Sequence, residues 1–167
     1  FGMTGIAYNV DLGTVSIGSL STSDALLTAI ANSDTGDVFL IELHAPGPHY
    51  NFEARDDQAG YVCMEYWQDV FDVIVQASAL GRIVVEAGGN GNENFDDELL
   101  YGNLFDPAYR FSGAIIVGAT SNAHVPAGFT NYGQRVDVHG FGTWDVYTLG
   151  YGDLYGSTQS NHYTYSF

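Results

Sequence analysis

Arg82-Ile83-Val84-Val85-Glu86-Ala87-Gly88-Gly89-Asn90-Gly91-Asn92 is a short β-branched run that passes directly into a glycine turn carrying an asparagine. An apolar run of this kind predicts a strand buried on both faces of a parallel sheet. The C-terminal ends of such strands are where α/β proteins gather their chemistry. Gly88 and Gly89 permit close approach of another backbone, and the Asn90 side-chain amide offers N–H donors to a negatively charged oxygen. Gly-Gly-Asn-Gly is also an ordinary turn sequence, so on this segment alone both readings stand.

Outward from this stretch, strands and helices alternate. Asp11–Ile17 reads as a strand, and Ser21-Thr22-Ser23-Asp24 caps a helix with Ala25, Leu26, Ala29 and Ile30 on one face. Gly36 ends that unit and Val38–Leu43 is the next strand. Residues 44–62 read as a long loop, followed by a helix over Glu65–Leu80 that turns Tyr66, Val70, Val73, Ile74 and Ala77 to the core. Gly81 stops it as a left-handed C-cap. Ile83–Ala87, Ala114–Ala119 and Val136–Val138 complete the strands. The pattern predicts an α/β fold with a doubly wound, mainly parallel sheet and flanking helices, in one domain over residues 1–167. Beyond Thr143, Trp144, Tyr147, Tyr151, Tyr155, Tyr163 and Tyr165 alternate with glycine and serine, as in an extended aromatic-rich segment.

Ser112-Gly113-Ala114-Ile115-Ile116-Val117-Gly118-Ala119-Thr120 is followed by Gly128-Phe129-Thr130-Asn131-Tyr132-Gly133 and Val136-Asp137-Val138-His139-Gly140. With the glycine turn and with Met3-Thr4-Gly5-Ile6-Ala7-Tyr8-Asn9-Val10, these blocks resemble the subtilisin-like serine peptidases. That family has a "VVxAAGN" strand, an "xIxVGA" strand and an "FSNxGxxVDVxAPG" hairpin in this order. The resemblance is weakest at residues 44–62 and 142–160. It implies that Asn90 is the oxyanion-hole asparagine of a serine endopeptidase acting through an acyl-enzyme. It further implies that Ala87, Gly88 and Gly89 line the substrate pocket, and that Leu43 and His44 belong to one wall of the cleft. The family's "DTG", "HGTxVAG" and "GTSxAxP" motifs, which carry the catalytic aspartate, histidine and serine, are not among these residues. The chain is therefore expected to be a central piece of a catalytic domain truncated at both ends, inactive by itself, since a triad works only as a unit. The alternatives are a non-catalytic subtilase-like binding domain and a nucleotide-binding α/β module. The latter lacks a third glycine, an ensuing helix and basic residues.

Other residues offer less. Ser166 has no glycine turn to present it as a nucleophile. The five histidines, at 44, 49, 124, 139 and 162, show no metal-ligand spacing, and Cys63 is the single cysteine, expected in the core or at its boundary. His139 stands where the resemblance would put a small or apolar residue. Glu42 and Glu86 lie in apolar strands and so need partners: each other, a polar cleft, backbone N–H groups or Arg82. Two carboxylates brought close would raise one pKa. Asp56-Asp57 and Asp96-Asp97-Glu98 are short acidic loops and Asp137 resembles a weak cation ligand. A structural calcium ion is the alternative there to solvated charge, which the spacing favours. No metal or other cofactor is expected.

The formal charge of −16 arises from 20 acids against four arginines and no lysine. A phosphate backbone would be repelled, so nucleic acid is excluded as a partner. No apolar run reaches membrane-spanning length. A protein or peptide substrate and a secreted or extracellular setting are expected.

Overall fold

The computed structural model describes residues 7–143 and the backbone at 148–149 and 163–164. Helix α1 spans Thr22–Ala31; the Ser21 hydroxyl accepts the Asp24 N–H at 3.1 Å and so serves as its N-cap. Its last turn holds no basic residue, and Arg82 supplies the cation from elsewhere, donating to the carbonyls of Ile30 (3.2 Å) and Ser33. Strand β1 is Val38–Ile41, β2 His44–Pro46, β3 Tyr61–Cys63 and β4 Ile83–Ala87; helix α2, Gln68–Ala79, precedes β4. A one-turn helix α3, Glu98–Tyr101, is capped by the Asp97 carboxylate. Strands β5, Ile115–Thr120, and β6, Val138–Phe141, follow. A final antiparallel pair joins β7, Thr148–Leu149, to β8, Tyr163–Thr164.

The central sheet runs in the order β1-β4-β5-β6 with every pairing parallel. Strand alternation turns Ile41, Val84, Glu86 and Ile116 to the face covered by helices, where Ile30 of α1, Val70, Val73, Ile74 and Ala77 of α2, and Tyr101 of α3 form one core with Phe95 and Phe105. Val38, Leu40, Ile83, Ile115 and Val138 emerge on the opposite face and are exposed. The α/β architecture expected from the alternation, a mainly parallel sheet with flanking helices, is the one observed.

Four element expectations need correction. Asp11–Ile17 is not a strand: the segment has no ladder partner and leaves Leu12 at 86% exposure. Residues 44–62 are not all loop, because β2 and β3 pair antiparallel, with His44 opposite Cys63, and close residues 47–60 into a hairpin arm. The second helix starts at Gln68, not Glu65; Met64–Tyr66 forms a separate 3-10 turn and Trp67 is extended. Its carboxylate and N–H committed to other partners, Glu65 is held out of the helix. The last sheet strand begins at Val138, since the Val136 N–H first closes a turn onto the Gly133 carbonyl at 3.1 Å. Residues 144–147 and most of the aromatic-rich segment after them lie outside the described residues.

Candidate active site

After β4 the chain stays beside β5 for one more residue, as the Gly88 N–H donates to the Val117 carbonyl at 2.8 Å. Gly89 then turns with φ +97°, and a Cβ there would meet Asn131 Nδ2 at 2.7 Å. At Gly91 the space a side chain would need is filled by the Tyr61 backbone. Gly88, Gly89 and Gly91 are all buried, and Asn90 is the one exposed residue among the four. The glycines let two neighbouring segments close on this loop and leave a single polar side chain on display.

Asn131 is the clamp. Fully buried, it donates from Nδ2 to the carbonyls of Gly88 (2.7 Å) and Tyr61 (2.8 Å) and accepts the Glu93 N–H at 2.8 Å; its own N–H reaches the Gly89 carbonyl at 3.2 Å. The Gly60 N–H adds a bond to the Gly91 carbonyl at 3.0 Å. Asn90 itself donates its backbone N–H to His44 Nδ1 at 3.2 Å and its side-chain Nδ2–H to Gln58 Oε1 at 3.1 Å. His44 is half-buried, edge-on to the Tyr61 ring at 4.9 Å, and burial lowers its pKa. The structure thus brings His44, Gly88, Gly89 and Asn90 together. Ala87 lies half-buried beside Val117, and Leu43 packs against the hydrophobic core.

Behind the loop lies a buried ionic network. Arg135, wholly inaccessible, donates to both carboxylate oxygens of Glu65 (2.6 and 2.9 Å), to Asp137 (2.8 Å) and to the Ala114 carbonyl (3.1 Å). Glu86 reaches the edge of this network: its Oε1 accepts the Glu65 N–H at 2.9 Å, while Oε2 has no partner. Burial, and then the nearby Glu65 charge, push its pKa up to about 8. The carboxylate facing Glu86 is therefore Glu65; Glu42 lies exposed just past β1, and Arg82 caps α1 instead of pairing with either acid. Cys63 is buried, and burial together with Glu86 and Glu65 raises its pKa well above the ordinary thiol value, leaving it an inert thiol at neutral pH.

A second cluster joins the hairpin arm to the segment after Asn90. Glu93 takes a bond from Tyr101 Oη at 2.5 Å and holds His49 Nδ1 at 2.8 Å, with the His49 ring stacked on Tyr50. His139 fills the space over Gly118, its register partner across β5 and β6, where a Cβ would meet the imidazole at 2.7 Å. In the acidic loops, Asp57 pairs with Arg55, Asp97 caps α3 and Asp96 accepts the Gln134 N–H at 2.9 Å. Asp137 is taken up by Arg135 and by the Ile116 N–H. Among the described residues no group of three or more His, Cys, Asp or Glu is placed to hold a metal, and no helix is long and apolar enough to cross a membrane.

Asn131, Glu65, Arg135 and Gln58 escape a reading of the sequence. The available signal is chemical: a buried strand acid at Glu86 demands neighbours, and Asn131, set between Thr130 and Tyr132, carries an amide able to bridge backbone groups.

In comparison with known proteins, residues 1–167 match the profile of the Subtilase family. A search among curated proteins finds no match.

Proposed function

Since the chain belongs to the subtilase family, serine peptidases that act on proteins or peptides, we propose that it forms the oxyanion-binding part of a serine endopeptidase domain whose triad lies outside these 167 residues. The observation that carries the reading is Asn90: the one exposed member of an otherwise buried glycine loop, at the C-terminal end of a central parallel strand, with the loop clamped by Asn131. In the reaction a serine attacks the peptide carbonyl, a histidine takes its proton and an aspartate orients the imidazole. A donor fixed before the reaction stabilises the charge developing on the carbonyl oxygen without reorganising at that moment. Asn90 has one amide N–H left over after its bond to Gln58 to serve as that donor. Ala87, Gly88 and Gly89 would line the substrate pocket and His44 its rim.

This reading calls for no cofactor. It places the enzyme outside the cell, in keeping with its acidic surface. In the full-length protease, Asn90→Ala is expected to lower kcat by roughly 10²–10³, the size of the effect in subtilisin, which is the source of that figure. KM should change little, and a fall in kcat of under about threefold would remove Asn90 from the oxyanion role. The 167-residue chain alone should leave a peptide anilide uncleaved; steady hydrolysis by the pure chain would place a working nucleophile within it.

A further inference from the structure

We infer that Gln58 and His44 are positioning residues for Asn90, the first anchoring its side-chain amide and the second holding its backbone. The inference rests on the reading of Asn90 as the oxyanion donor.

A side-chain amide has nearly the same shape when turned over, yet the two orientations are opposite in charge. With nitrogen toward the reacting carbonyl the amide stabilises an oxyanion; with oxygen there it repels one. Gln58 anchors the Asn90 amide at one end. Its Oε1 accepts from Asn90 Nδ2 at 3.1 Å, which holds the Asn90 side chain in one rotamer and leaves the second N–H of that nitrogen for substrate. Gln58 is itself held by the local backbone. It occupies a left-handed position (φ 58°) in a tight turn, with its N–H on the Arg55 carbonyl and its carbonyl taking the Tyr61 N–H, both at 3.1 Å. A non-glycine residue is costly in that conformation. The turn is braced by the bidentate Arg55–Asp57 pair (2.9 and 2.6 Å) and by the Tyr61 hydroxyl on the Arg55 N–H at 3.2 Å.

His44 works on the backbone. Its Nδ1 accepts the Asn90 N–H, so the ring proton must sit on Nε2 and the imidazole must be neutral. A second proton would set N–H against N–H and push Asn90 away. The groups that face His44 are Tyr61 and Cys63 on β3 and Asn90 after β4, and among the described residues no carboxylate lies within ion-pair distance to support an imidazolium. Burial lowers its pKa in the same direction, keeping the accepting form through neutral pH.

The test is a double-mutant cycle in the full-length protease, with kcat and KM read separately. Gln58→Ala should lower kcat about tenfold, the kinetic equivalent of one hydrogen bond, with KM within about twofold. In an Asn90→Ala background the same substitution should have no effect on kcat. If Asn90→Ala is itself silent, the oxyanion reading fails. If it is damaging and Gln58→Ala costs as much in both backgrounds, that reading survives and the positioning role of Gln58 falls. For His44, kcat measured above the acid limb that the catalytic histidine itself imposes should fall in His44→Ala and recover in His44→Asn, a non-titrating acceptor for the Asn90 N–H; a kcat in His44→Ala equal to that of the native enzyme overturns the role. Apart from activity, 15N NMR of the full-length protease should show His44 as the Nε2–H tautomer and the Asn90 backbone amide titrating with it. An Asn90 amide that titrates identically in His44→Ala overturns the His44 part.

Discussion

At the scale of single residues, the loop depends on one side chain using its full bonding capacity. Asn131 satisfies two carbonyls and one N–H in a place that water does not reach. Asn131→Ala strands those groups, and with each buried orphan costing about 1–3 kcal/mol, a loss of about 3 kcal/mol is expected. It should appear as a lower denaturation midpoint at unchanged m value. Asn131→Asp is the sharper probe, because it keeps the shape and the oxygen bonded to Glu93 but turns a second oxygen onto two carbonyls. A stability equal to that of the native chain in the aspartate variant would show that the amide bonds carry none of the clamp. The glycines of this loop were legible from the sequence as sites of close approach. What approaches them, the Tyr61 backbone and Asn131, was not, because those contacts join residues about thirty to seventy positions apart and no local pattern encodes them.

At the scale of elements, β4 shows the same division. An acid in a β-branched strand announces that something must compensate its burial. The one bond to it comes from a 3-10 turn before α2, whose Glu65 is in turn paired with an arginine just before β6. Glu86 ordinarily titrates near 4.5 and is pushed up to about 8 in the fold. Between those values the folded state therefore holds more protons than the unfolded one. The Glu86 contribution to stability consequently declines as pH rises from about 4.5 to about 8 and levels off above that. Glu86→Gln, neutral throughout, should abolish this decline, so its Tm relative to the native chain should climb between about pH 5 and pH 9. A Tm difference independent of pH would mean that Glu86 titrates normally in the fold. Arg135→Met at the centre of the network leaves Glu65 buried without its cation and should destabilise by about 3–5 kcal/mol. Restoration of most of that loss by Glu65→Gln would identify the stranded charge as its cause. The start of α2 departs from the sequence expectation for the same reason: helical spacing continues through Glu65, and only its distant bonds take that residue out of the helix.

At the scale of the whole molecule, 20 acids and four arginines give a charge of −16, while three of the four arginines are committed to the Glu65 network, the α1 terminus and the Asp57 turn. The surface repels itself. Added salt that shortens the Debye length from about 30 Å to about 8 Å should raise Tm. A flat or falling Tm over that range would show that surface repulsion is not a term in stability. The sequence by itself determined the strand and helix alternation, the parallel sheet, the glycine turn at the end of β4, and the family resemblance in its order of motifs. These are local properties of periodicity, propensity and steric freedom, legible within a dozen residues. Only the tertiary structure decided which carboxylate faces Glu86, that residues 44–62 fold into a hairpin arm, and that Asn90 is held between His44 and Gln58. Those outcomes depend on which distant segments the sheet order brings together, and on a demand for polar partners that a buried group states but that only the folded chain can answer.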